Sequence, residues 1–147
     1  MVRSLRLVIP MLAVGVSALS AQARPAAAPA QAQAAGRTIR VQMKQVGTRY
    51  VFEPQNFSVR PGDVVEFVNV SGFPHNVQFE PAGIPAGAAD VMNRNMPQRL
   101  GPLQGPMLTQ PNATYRVSFA GAPVGSYAYF CLPHKAMGMT GTITVSR

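Results

Sequence analysis

The chain has 147 residues, one cysteine, no tryptophan and a net charge of +8. A single cysteine excludes an internal disulfide, and this length fits one domain. A basic chain with no interleaved platform of basic and aromatic residues is a poor binder of nucleic acid. The charge points instead to an acidic protein surface or to solubility alone.

Read from the N-terminus, the first segment has the layout of an export signal. Arg3 and Arg6 precede an apolar run over 7–18, and Ala21, Gln22 and Ala23 form a small-x-small site that places cleavage after Ala23. The apolar run falls short of the roughly 20 residues that span a bilayer, and Pro10 interrupts it, which argues against a retained anchor. Residues 1–23 are therefore expected to be a signal peptide, with a mature chain in the periplasm or another extracytoplasmic space and no stable membrane insertion. Loss of Arg3 and Arg6 would lower the net charge from +8 to +6. Residues 24–36, RPAAAPAQAQAAG, lack aromatic side chains and are expected to be a flexible Ala/Pro/Gln-rich linker. The folded domain is expected over 37–147, long enough for one core.

Short strands are predicted over 38–43, 50–52, 57–59, 63–70, 75–79, 114–119, 126–131 and 141–145. Alternation is visible in TIRVQM and TYRVSF, while RPGD and GAPVGS supply turns between runs. About eight such strands at this spacing predict an all-β Greek-key sandwich. Residues 81–111 are rich in Pro and Gly and allow at most a helical turn near 88–92. The basic residues Arg37, Arg40, Lys44, Arg49 and Arg60 crowd the first strands, whereas Glu53, Asp63, Glu66, Glu80 and Asp90 are scattered.

The stretch FCLPHKAMGM, residues 130–139, concentrates unusual chemistry where a strand runs into a turn. It holds the sole cysteine, Cys131, one of the two histidines, His134, and the thioethers Met137 and Met139. The other histidine, His75, follows GFP at the start of another predicted strand. Two imidazoles, a thiolate and a weak thioether are the ligand set of a blue-copper electron-transfer centre. The thiolate bond delocalises the electron, imidazole suits both copper oxidation states, and a distant thioether disfavours tetragonal Cu(II). Taken singly, a histidine is an ordinary surface or core residue and a buried cysteine a small hydrophobe. Both histidines and the only cysteine falling on one pattern make that reading insufficient. A catalytic Cys/His pair lacks an orienting acid and an evident oxyanion loop, so no enzyme is expected. A structural zinc site is short of ligands, because methionine serves zinc poorly.

The segments FPHNVQFEPAGIPAG and GSYAYFCLPHKAMGMTGTITV resemble the two copper-site segments of plastocyanin-like proteins in the cupredoxin family. VFEPQNFSVRPGDVVEFVNVSGFPHNV resembles that family's second strand through to its first ligand. The resemblance implies a cupredoxin-like fold, one copper ion and one-electron transport between Cu(I) and Cu(II). It carries over His75, Cys131, His134 and one methionine as ligands, and Asn76 as the residue that ties the ligand-bearing segments together. Met139, two residues before Gly141 and the last strand, matches the plastocyanin spacing. Met137 matches the shorter spacing of amicyanin-like loops and is the alternative axial ligand.

By the same resemblance, electrons pass through the exposed edge of His134, inside a docking surface of Pro74, Pro133, Lys135, Ala136 and Met137. Such a patch suits transient docking of redox partner proteins, here with acidic surfaces, by a monomeric carrier. Three departures stand out. The acidic residues are scattered and the balance is basic, unlike the acidic docking character of plant plastocyanins. Phe130 replaces the tyrosine that precedes the ligand cysteine in the family's run. A longer segment, 92–111, carries Met92, Met96, Met107, Arg94 and Arg99, and it raises the alternative of copper handling or delivery, since thioethers bind Cu(I).

Overall fold

Thr38 begins the first strand of the structure, a computed structural model that describes residues 36–147. The expected signal peptide and all but the last residue of the expected linker lie outside the described residues. Eight strands follow in order: β1 Thr38–Val46, β2 Arg49–Glu53, β3 Asn56–Val59, β4 Val64–Asn69, β5 Gln78–Phe79, β6 Thr114–Ser118, β7 Gly125–Phe130 and β8 Thr140–Val145. One sheet has the order β2-β1-β4-β6 and the other β3-β8-β7-β5. The chain alternates between them from β2 to β7 and stays in the second sheet for β8; β1 is parallel to β4 and β3 to β8, while the remaining pairs are antiparallel. This is the expected all-β Greek-key sandwich. No helix among the described residues is long and apolar enough to cross a membrane.

Alternation decides which side chains fill the space between the sheets. Val41, Met43, Phe52, Val65, Phe67 and Val117 face inward from the first sheet, and Val59, Phe79, Tyr127, Tyr129, Ile143 and Val145 from the second; all are buried. Tyr129 sits at the middle of an aromatic cluster, 4.7 Å from the Phe52 ring centroid and 5.8 Å from that of Phe67. Its hydroxyl donates to the Gln55 carbonyl at 2.9 Å, so a large ring is buried without stranding its polar end. Gly141 is needed beside it, since a Cβ there would lie 2.3 Å from the Gln55 carbonyl oxygen.

Two local features differ from the sequence-based expectation. The helical turn near 88–92 is a two-turn helix, α1 Ala88–Asn95, which buries Ala88 and Met92 one turn apart. Asp90 in its first turn and Arg94 in its last complement the helix dipole. The strand expected over 75–79 pairs regularly only at Gln78 and Phe79. Along its other edge and upstream, the backbone bonds to the long segment after α1. Phe79 N–H donates to Leu103, Gly105 N–H donates to Val77, and His75 and Leu108 exchange bonds of 3.0 and 2.7 Å. That segment covers the edge that β5 would otherwise present.

Candidate metal centre

His75 reaches the site from a loop held on both sides. Asn69, buried at the end of β4, donates from Nδ2 to the carbonyls of Phe73 at 2.7 Å and Leu108 at 2.9 Å. Its Oδ1 accepts from Gly72 N–H at 3.0 Å. Ser71 Oγ lies 3.0 Å from Nε2 of His75, leaving Nδ1 facing Cys131. An Nδ1 that offers a lone pair requires the proton on Nε2, which then donates to the serine hydroxyl.

The other donors come from the end of β7 and the 3₁₀ turn Leu132–Met137. His134 N–H donates to the Cys131 carbonyl at 3.0 Å, which closes the turn. Gly138 leaves it with φ of 83°, a conformation in which a side chain is strained. Cys131 N–H then donates to the Met139 carbonyl at 3.0 Å, and Met139 N–H to the His134 carbonyl at 3.1 Å. Asn76 joins the two halves, its Oδ1 accepting from Leu132 N–H at 2.7 Å.

These elements bring Cys131 Sγ to 3.5 Å from His75 Nδ1 and 3.3 Å from His134 Nδ1. The three candidate ligand atoms all lie within 4.8 Å of one another, and all three residues are buried. Burial pushes the Cys131 thiol up, against hydrogen bonds from the backbone of Asn76 and His134 that pull it down. Burial and the neighbouring His134 charge push His75 down to about 4, and burial lowers His134. Both imidazoles are thus held neutral, with lone pairs available. The thiol stays protonated until a cation displaces its proton. One sulfur and two imidazole nitrogens, with no carboxylate in the cluster, fit a copper ion better than a hard cation.

The two methionines separate cleanly: Met139 is 1% exposed and Met137 is 52% exposed. Pro74, Pro133, Lys135 and Ala136 are exposed around His134, of which 7% remains accessible. Phe73 and Leu132, not singled out in the sequence, extend this apolar rim at 43% and 47% exposure. Lys135 is tied back rather than free. Its Nζ lies 2.6 Å from Glu80 and 3.9 Å from the centroid of Phe130. Sequence reasoning also missed Tyr50, whose ring stacks on His134 with centroids 3.8 Å apart and planes 15° apart.

The family model for copper binding proteins of the plastocyanin/azurin family matches residues 31–146. The chain belongs to that family. It is 32% identical to a plastocyanin of a Synechococcus species over 148 residues, spanning 99% of this chain and 95% of the relative. It is 40% identical to the plastocyanin of Lactuca sativa over 96 residues, 65% of this chain and 88% of that one. Among solved structures, oxidised plastocyanin of the fern Dryopteris crassirhizoma superposes with a TM-score of 0.56 at 26% identity. The match covers 74% of this chain and all of the fern protein. Family, fold and cluster agree on a plastocyanin-like blue copper protein that binds one copper ion and carries electrons.

The alternative of copper handling is not favoured. Met92 and Met96 of the long segment are buried in the core, where they fill space beneath it instead of presenting thioethers to an incoming ion.

Proposed function

We propose that His75, Cys131, His134 and Met139 hold the copper ion of an exported, monomeric electron shuttle. The observation that carries this assignment is the approach of His75 Nδ1, Cys131 Sγ and His134 Nδ1 to within 4.8 Å of one another in a buried site. The burial of Met139 beside an exposed Met137 favours Met139 as the axial ligand. When bound, the ion supplies a one-electron couple between Cu(I) and Cu(II).

The chain's own residues make that exchange fast and brief. Ser71 and the Cys131–Met139 backbone clamps hold the donors in place, so little has to move when the charge changes. The apolar rim of Phe73, Pro74, Leu132, Pro133, Ala136 and Met137 excludes water from an encounter at His134 and releases the partner readily. Four of the acidic residues are already paired within the fold: Asp63 with Arg37, Glu53 with Lys44, Glu66 with Arg116 and Glu80 with Lys135. Arg40, Arg49 and Arg60 make no ion pair among the described residues, and this excess supports steering toward an acidic redox partner. The leader over 1–23 and linker over 24–36 fit export to an extracytoplasmic space, with 37–147 as the working domain.

Purified protein given Cu(II) should develop an intense visible thiolate charge-transfer band, and Cys131→Ser should abolish it. A colourless wild-type protein rejects the proposal.

A further inference from the structure

Tyr50 stands outside the four ligands and outside the set of residues tied to them by hydrogen bonds, yet it has the closest ring contact with His134. Its ring lies nearly parallel to the imidazole at 3.8 Å between centroids, edge-on to Phe73 at 5.6 Å and edge-on to His75 at 5.9 Å. It is held from behind by the β1–β2 ladder, in which Tyr50 pairs with Gln45. Tyr50 is half-buried, and its hydroxyl makes no hydrogen bond among the described residues. Only 7% of His134 is accessible.

We propose that Tyr50 is a contact residue for electron exchange: a docked partner meets the tyrosine ring, and the electron passes through the Tyr50–His134 stack. The inference rests on the copper reading above. A coupling between donor and acceptor falls steeply with every gap that is not bridged by atoms in contact. A parallel aromatic pair at this spacing has no such gap, whereas an aliphatic side chain offers no π-system at the same place. The stack also fixes the orientation of the imidazole, adding a contact of the aromatic-pair kind to the hydrogen-bonded turn. The exchange is balanced without other reactants. One electron leaves the reduced protein and enters its oxidised partner, no proton moves, and no bond to the chain forms or breaks.

The test uses the protein as its own partner, measuring electron self-exchange in mixtures of reduced and oxidised protein by NMR line broadening. The variants are Tyr50→Phe and Tyr50→Leu, with Tyr50→Met replacing the leucine variant should that one not load copper. In copper-free protein, the ring protons of His134 should show an upfield ring-current shift that Tyr50→Phe keeps and the aliphatic variant loses. With copper, the aliphatic variant should retain the visible band and slow self-exchange several-fold, while Tyr50→Phe exchanges like wild type. A rate that is unchanged or rises on loss of the ring overturns the inference, as does a phenylalanine variant as slow as the aliphatic one. A wild-type protein that stays colourless with Cu(II) sinks the copper reading and this inference together. A coloured wild type whose aliphatic variant exchanges normally sinks this inference alone.

Discussion

Ser71 Oγ lies 3.0 Å from Nε2 of His75, while the other nitrogen of the same ring lies 3.5 Å from Cys131 Sγ. One hydroxyl therefore selects which nitrogen of a fully buried histidine faces the metal site. Ser71→Ala should lower copper affinity by about tenfold, the lower end of what loss of such an outer partner costs. Ser71→Thr, which keeps the hydroxyl, should restore it. Competition with a chelator of known affinity provides the measurement, and an unchanged affinity in the alanine variant would contradict the role.

The axial position should be readable electrochemically. Met139→Gln places a harder oxygen donor where a thioether stood, which favours Cu(II) and should lower the reduction potential while copper stays bound. Met137→Gln, on an exposed side chain, should leave the potential where it was. Voltammetry of both variants decides the matter; a shift in the second and none in the first would exchange their roles.

Asn69 makes three hydrogen bonds that fasten the loop bearing His75. Asn69→Ala leaves the Phe73 carbonyl and the Gly72 N–H without this partner, while the Leu108 carbonyl keeps the His75 N–H, and should destabilise the fold by ~2 kcal/mol. Urea unfolding of the copper-free protein measures this apart from any effect on the metal. A loss near zero would mean that the loop finds other partners.

The pH dependence of stability should show the state of Asp63. Burial opposes ionisation of this carboxylate, but Arg60 N–H at 2.8 Å, the Arg37 guanidinium at 2.9 Å and Arg37 N–H at 2.8 Å outweigh it and hold its pKa below the ordinary value. A carboxyl with a depressed folded-state pKa binds fewer protons folded than unfolded. Its contribution is therefore complete above the ordinary value and disappears as pH falls through the depressed one. Asp63→Asn should lose about 2 kcal/mol near neutral pH. The gap to wild type should narrow below about pH 4, where the unfolded carboxyl takes up its proton. Thermal melts of copper-free protein across that range test it; a constant gap would place the effect in packing.

Much of the sandwich was legible because period-two alternation and Pro/Gly turns are local signals. Seven of the eight strands lie within a few residues of where TIRVQM, TYRVSF and their counterparts place them, and the expected 75–79 strand is reduced to Gln78–Phe79. The candidate ligand loop could be singled out because Cys131, His134 and Met139 lie within nine residues of chain, with a clamp that is also local. Long-range partners were not legible. Tyr50 reads as an ordinary strand tyrosine, and only the folding of the β1–β2 hairpin over the 3₁₀ turn reveals its stack. Asn69 and Ser71 read as strand-end polar residues until Leu108 and His75 arrive beside them. The helix Ala88–Asn95 was understated because its flanking prolines and glycines hide one buried stripe, completed by packing against the sandwich.

The backbone bonds between Cys131, His134 and Met139 close the ligand loop upon itself before it rejoins β8. Residues between those clamps are exposed and bear no strand pairing, so most of their side chains can be replaced while both sheets stand, within the limits set by Gly138 and by the Leu132 N–H that Asn76 holds. The centre is in this sense a replaceable cartridge: altering its short peptide would retune the redox couple and the surface offered to a partner in a single exchange.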